Sequence, residues 1–342
     1  PAARACAGRC RRTPRKPATI ARRPGVARPD DGVGSPGRGR SASWSGAPRA
    51  GLGAACVLVP GWAAVTRWST LIAGHPAYPV LLGVLVVLGV SLLVRARRRR
   101  SSGTLRAVGR AAGGLVVVAV LAAAVWLRPY AADPVAVAAA APSATVDVVD
   151  GPTRWELRPR GRPADVGVVF FPGALVDPRA YLALLRPLAE RGHLVVVVKP
   201  PLGVALLSSA DAVLDAHPEV TRWTLGGHSL GGVAAAEAAV AAGQRAHGVF
   251  FWASYPAGDL SGAPLAAASV SGDRDGLSAP ADIAASRARL PPGTVFTVVP
   301  GAVHAFFGDY GPQPGDGTPG TSRTEAQRQI VEATTTFVAG LP

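Results

Sequence analysis

VTRWTLGGHSLGGVAAAEAAVAAG, residues 220–243, joins a β-branched and aromatic run to an alanine-rich one through a serine flanked by glycines. Residues 220–226 have the composition of a strand. Residues 230–243 are dominated by alanine, the best helix former. The junction, Gly227-His-Ser229-Leu-Gly231, fits G-x-S-x-G. A short motif of this kind arises by chance in a glycine-rich chain, and its place between strand and helix is what gives it weight. A sharp strand-turn-helix forces the apical residue into a strained backbone conformation and admits only small neighbours. Gly227, Gly231 and Gly232 supply them. The helix N-terminus under Ser229 also favours developing negative charge.

Outward from the junction, short β-branched runs alternate with Ala/Leu-rich stretches from about residue 145 onward. Strands are expected at 145–149, 154–158, 166–171, 194–199, 220–226, 247–253, 267–271 and 294–299. Helices are expected near 178–191, 206–216, 230–243, 279–289 and 322–339. Continuously apolar strands separated by helices imply an α/β fold: a mostly parallel sheet covered by helices on both faces. The first two strands precede any helix and read as an antiparallel hairpin at one edge. No internal repeat is visible.

A serine nucleophile needs a base, and position sorts the histidines. His193, His217 and His247 each precede a strand, at the edge of the sheet opposite the junction, and read as solvated turn residues. His228 lies within the junction and points away from the serine's own path. His304 follows the strand 294–299, which places it at the C-terminal edge beside Ser229, where sites of open α/β sheets lie. It is the candidate general base. The acid that orients it is expected after strand 267–271, where Ser271-Gly-Asp273-Arg-Asp275-Gly offers two carboxylates. Asp275, followed by Gly276, is preferred. Asp273 is assigned to the turn, and Asp259 is a distant third. For the oxyanion, one donor is the N–H of Leu230. The other is expected from the turn Phe171-Pro172-Gly173-Ala174-Leu175, at the Ala174 amide.

Over residues 166–342 the stretches FFPGALVDPRAY, VVVVKPPLGVA, RWTLGGHSLGG, FWASYPAGDL, SGDRDGLS and HAFFGDYGPQPGDG occur in order. In this set the region resembles the α/β-hydrolase superfamily, specifically the compact bacterial hydrolases of its fold-5 branch. Ser229, Asp275 and His304 follow the chain order of that fold. The resemblance implies hydrolysis of a carboxylic ester or related acyl bond with no cofactor. Pro300-Gly-Ala-Val303 departs from the Gly-Gly-Asn often found before the histidine in such proteins. No metal site is expected: Asp309 and Asp316 are assigned to loop-stabilising hydrogen bonds in preference to an ion. Inserts between strands are short, which leaves no room for a large lid. The site is expected to be open, lined by Leu175, Tyr255, Phe306 and Phe307, and to take a small or medium acyl substrate. Two rivals are kept: an acyltransferase acting on an envelope acceptor, and a catalytically idle, membrane-tethered binding module.

The N-terminal part differs in kind. Residues 1–150 hold 21 Arg/Lys against 5 Asp/Glu, whereas residues 151–342 hold 15 against 16, so the net +15 belongs to the first segment. Its arginines lie in a Pro/Gly-rich tail (1–50, expected to be disordered) and beside apolar runs, an arrangement that suits membrane topology better than nucleic acid. Cys6, Cys10 and Cys56 all lie outside the C-terminal half and read as incidental. Within a membrane region at 51–128, AYPVLLGVLVVLGVSLLV (77–94) and AAGGLVVVAVLAAAVWL (111–127) carry no charge and reach the lower end of a bilayer-spanning length. One or two transmembrane helices are therefore expected before the 145–342 domain, with 129–144 as an Ala-rich linker. The cluster Arg95 to Arg100 between the runs makes that loop cytoplasmic and exports the domain. An alternative reading makes residues 104–138 a secretory signal cleaved after Ala136-Val-Ala138. A two-span hairpin would also export the basic tail, against the rule. Either 52–66 forms a third, weaker span or the tail is not native.

Overall fold

Eight strands form one sheet in a computed structural model that describes residues 46–97, 104–161 and 164–342. They are β1 (Val146–Asp150), β2 (Arg154–Pro159), β3 (Val166–Phe171), β4 (Leu194–Val198), β5 (Arg222–His228), β6 (Ala246–Trp252), β7 (Ala266–Gly272) and β8 (Val295–Val299). The spatial order is β1-β2-β4-β3-β5-β6-β7-β8. β1 and β2 pair antiparallel, as does β2 with β4, and every other pair is parallel. The expected edge hairpin is therefore present, and each expected strand lies within two residues of an observed one.

Strand periodicity explains the two cores. Along β3, Val168 and Phe170 face one layer with Phe250 and Trp252 of β6, while Val169 and Phe171 face the other with Leu225, Val249 and Phe251. The first layer is covered by α5 (Leu182–Glu190) and α9 (Arg323–Ala339). The second is covered by α6 (Asp211–Ala216) and α7 (Leu230–Ala242). α8 (Pro280–Ser286) follows β7. Because both faces are buried, Phe170, Phe171, Phe250 and Phe251 are all fully inaccessible. This is why the parallel strands read as unbroken apolar runs.

Before the sheet come α1 (Ala47–Ala73), α2 (Ala77–Ala96) and α3 (Thr104–Trp126), each long and apolar enough to cross a membrane. Uncharged apolar runs marked two of them in the sequence, 77–94 and 111–127. α1 covers the stretch read from sequence as a weaker third span and is interrupted by Pro60 and by non-helical backbone at Arg67. α1 and α2 cross at glycines: a Cβ on Gly89 would stand 2.7 Å from the Gly53 carbonyl oxygen and 2.8 Å from the Cys56 Cβ. Small residues at the crossing are how helices approach closely where no hydrophobic effect drives them together. Val65, Leu105 and Leu115 point outward, up to 90% exposed for Leu105. Residues 1–45 and Arg98–Arg100, to which the sequence assigned the tail and part of the basic cluster, lie outside the described residues.

The Ala-rich stretch expected to be a linker is instead docked on the sheet domain. Tyr130 forms a parallel bridge with Val176, donating to the Leu175 carbonyl at 2.7 Å, and Ala132 bridges Tyr310. Asp133 pairs with Arg323 at 2.6 Å. The short α4 (Pro134–Ala138) buries Ala136 completely, and Arg186 donates to the Ala139 and Ala141 carbonyls. Composition suggested a tether because small residues have no visible periodicity. Smallness is what lets this backbone lie flat against α5, and the packed domain begins near residue 129.

Candidate active site

β5 delivers Ser229 to the C-terminal edge of the sheet with φ 53° and ψ −126°, the strained apex the junction predicts. The glycines beside it are sterically required. A Cβ on Gly227 would meet the Gly231 carbonyl oxygen at 2.2 Å, and one on Gly231 would meet the Phe171 oxygen at 2.0 Å. The second contact shows how tightly the start of α7 abuts the turn after β3. The Ser229 backbone is fixed on both sides: its amide donates to the Trp252 carbonyl at 3.0 Å, and its carbonyl accepts from the Ser254 hydroxyl at 2.6 Å. The side chain caps no helix amide and is half-buried, so it remains reachable.

Backbone donors converge on the same edge. Leu230 is the first residue of α7, so its amide has no intrahelical acceptor. In the turn after β3, Gly173 donates to the Tyr181 hydroxyl (2.9 Å), Leu175 to the Gly203 carbonyl (2.9 Å) and Val176 to the Gly173 carbonyl (3.1 Å). Among the described residues no acceptor takes the Ala174 amide, the donor named from sequence.

His304 opens a 3₁₀ turn (His304–Phe307) after β8, and Asp275 lies in the loop after β7. They meet: Nδ1 of His304 is 2.8 Å from Oδ2 of Asp275, with both side chains buried. Oδ1 of Asp275 accepts from the amides of Leu277 (2.8 Å) and Ser278 (2.7 Å), which fixes the carboxylate and leaves Oδ2 for the imidazole. A carboxylate only accepts, so Nδ1 carries the hydrogen and Nε2 keeps its lone pair. That Nε2 is buried and has no hydrogen-bond partner. Asp273 is exposed and accepts from the Gly301 amide at 2.6 Å, a brace for the β8 turn. Asp259 is also exposed and accepts from the Ser261 amide.

Asp316 does more than the sequence suggested. Its Oδ1 accepts from the amides of His304 (3.0 Å), Gly317 (2.7 Å) and Gly276 (3.3 Å), and its Oδ2 from Ala305 (2.8 Å). One carboxylate thus clamps the Asp275 loop to the His304 turn. Asp309 is a separate buried carboxyl, accepting from Gln327 at 2.9 Å, and burial raises its pKa.

Two residues outside the sequence-derived set support His304. His228 is fully buried under His304, ring centroids 4.5 Å apart, with Phe307 stacked on it at 7° and 6.0 Å. Its Nδ1 lies 2.9 Å from the Tyr181 hydroxyl, which also accepts from Gly173. Desolvation, and then the neighbouring His304, hold its pKa well below the usual histidine value, so it stays neutral. The Tyr181 pKa is raised by burial. A histidine adjoining the nucleophile was visible in the sequence. Its tyrosine partner, 47 positions away, carried no local signal.

The expected pocket lining divides. Leu175 and Tyr255 are partly exposed, with Arg289 over the Tyr255 ring, and Leu175 holds φ 60°. Phe306 is buried beneath Arg323, and Phe307 is fully buried against His228. Phe307 therefore supports His228 and lines no open wall. His217, read as a solvated turn residue, is buried between Glu156 and Glu219.

Residues 167–329 match the alpha/beta hydrolase family. With the sheet order above, this part of the chain has the α/β-hydrolase fold. No curated protein matches the sequence. Solved structures with a similar backbone include esterase 2 of Thermogutta terrifontis phosphoramylated by tabun, at 15% identity and TM-score 0.42, covering 57% of this chain and 94% of that one. An esterase of Pyrobaculum calidifontis matches at 16% and 0.44, covering 60% and 88%. A dienelactone hydrolase-like promiscuous phosphotriesterase from metagenomic libraries matches at 21% and 0.42, covering 58% and 97%.

Proposed function

We propose that the domain is a serine hydrolase that cleaves a carboxylic ester or related acyl bond through an acyl-enzyme on Ser229. The observation that carries this reading is the buried His304–Asp275 pair, with its unpartnered Nε2, packed on the residue that precedes the strained Ser229. Nε2 takes the Ser229 proton as Oγ bonds to the acyl carbon, and the amides of Leu230 and Ala174 receive the oxyanion. Collapse breaks the acyl–oxygen bond, and the proton on His304 passes to the departing alcohol. Water then adds with His304 taking its proton. Oγ leaves with that proton, and the carboxylic acid is released. No step requires a cofactor. Full-length protein in detergent should turn over p-nitrophenyl butyrate and be silenced by a fluorophosphonate. A soluble, folded preparation with no turnover on any short ester would sink the reading and favour an idle module.

We further propose that α1–α3 cross a membrane with the hydrolase on the outer side. Arg49, Arg95, Arg97, Arg106 and Arg110 mark one end of the helices, and the hydrolase adjoins the other. Three crossings also send the chain before α1 to the cytoplasmic side, which removes the conflict that a two-span hairpin creates. With Cys6, Cys10 and Cys56 replaced by alanine, Leu207→Cys at an exposed loop position should react with a membrane-impermeant maleimide in intact cells. Reaction only after lysis would reverse the orientation.

A further inference from the structure

The catalytic edge of the sheet faces the ends of the apolar helices. At the boundary the Arg179 guanidinium donates to the Ser69 hydroxyl at 3.0 Å, Trp155 donates its indole N–H to the Ala73 carbonyl at 3.3 Å, and Arg67 donates to the Pro129 carbonyl at 3.2 Å. Tyr130, just past α3, is hydrogen-bonded to Leu175 and Asp177 in the turn that carries the Ala174 amide. Leu202, after β4, packs against the cluster of Leu71, Tyr78 and Leu82 at the α1–α2 ends. The oxyanion turn and the helix ends are thus directly joined.

Between them lies a cleft, open to solvent, whose enclosed water-accessible volume is about 40 Å³. Leu71, Tyr78, Leu127, Val176 and Leu202 form its apolar wall, with His75 and Asp177 also on the lining. The Asp177 carboxylate is spent on Arg179 at 2.6 Å, so the wall offers no free charge there. Leu175 and Leu202 both hold positive φ, 60° and 53°, and the Leu175 amide donates to Gly203. Leu202 lines the cleft and Leu175 adjoins its Gly203 wall, two leucines in a backbone region that glycine favours, a placement that costs strain. Trp68 and Trp126, at the same helix ends, are 63% and 72% exposed. Exposed tryptophans there mark the level of the membrane–water interface. That is also the depth at which the ester carbonyl of a bilayer amphiphile resides, with its acyl chain below.

We propose that the enzyme draws its substrate from the membrane: an acyl ester of a bilayer-resident amphiphile, its chain seated in the cleft between the α1–α3 ends and the turns after β3 and β4. The assignment rests on the serine-hydrolase reading and narrows its substrate. Small and medium acyl groups remain substrates, but chain length adds to their reactivity. Each methylene moved from water into the cleft raises kcat/KM by about three- to fourfold.

Full-length protein in nanodiscs, assayed with monomeric p-nitrophenyl esters from four to ten carbons, should show that rise. It should also cleave a fluorogenic long-chain ester embedded in the same disc. Leu202→Trp and Leu71→Trp, which crowd the cleft from the turn after β4 and from the end of α1, should each lower the ten-carbon to four-carbon ratio at least tenfold. Val240→Trp, exposed on α7, should keep the wild-type ratio. A flat chain-length series, or an unchanged ratio in both cleft variants, overturns the membrane substrate while leaving the hydrolase intact. Loss of turnover on every ester, including the four-carbon one, strikes the hydrolase reading itself.

Discussion

Ser229→Ala is expected to lower ester turnover by about 10⁴–10⁶, because the nucleophile and base act as one unit and either loss removes the acyl-enzyme route. The fold should be almost indifferent to the change. The Ser229 hydroxyl caps no amide, and the hydrogen bonds that fix this residue, to Trp252 and from Ser254, use its backbone. Alanine keeps the Cβ, so the strained φ of 53° is neither relieved nor worsened. Thermal unfolding should therefore stay within a few degrees of wild type while activity vanishes. A variant that loses activity together with its cooperative transition would show that the serine holds the turn, and its kinetics would then say nothing of chemistry.

Asp275→Asn should cost about 10⁴ in turnover, close to His304→Ala, while Asp273→Asn should stay within a few fold of wild type. The asymmetry follows from what each carboxylate touches. Asparagine at 275 can still accept from the Leu277 and Ser278 amides with its oxygen, but it then turns an NH₂ toward Nδ1 of His304. The imidazole is driven to the tautomer with hydrogen on Nε2, which can no longer take the serine proton. Asparagine at 273 keeps an oxygen for the Gly301 amide, the one contact that brace requires. A severe Asp273→Asn beside a mild Asp275→Asn would place the acid two residues earlier. A common loss in both would point to a collapsed loop.

Much of this site could be read before any coordinates because it is built from local signals repeated in order. The serine sits between a strand and a helix, the acid after one strand and the base after the next, and each lies at the same sheet edge for a topological reason. The geometry pairs His304 with Asp275 and leaves Asp273 on the Gly301 amide, and a Cβ at Gly276 would press on Gly315 and Gly317. What escaped depends on contacts distant in sequence. Asp316, 40 positions from Gly276 and 12 from His304, joins their two loops through amides that have no sequence signature. Phe307 looked like a pocket wall because it is aromatic and near the base, yet the 3₁₀ turn rotates it inward onto His228. The 129–144 segment failed as a tether because alanine composition describes both a flexible chain and one flat enough to pack. α1 was half-hidden by Pro60 and Arg67, which break the uniform apolar run that marks α2.

The most direct test of the central claim is to react full-length protein in detergent with a fluorophosphonate and locate the adduct by peptide mass spectrometry. The expected result is one stoichiometric phosphonyl group on the peptide containing Ser229, formed in parallel with loss of ester turnover and absent in Ser229→Ala. An adduct at another residue, or labelling that persists unchanged in Ser229→Ala, would contradict it.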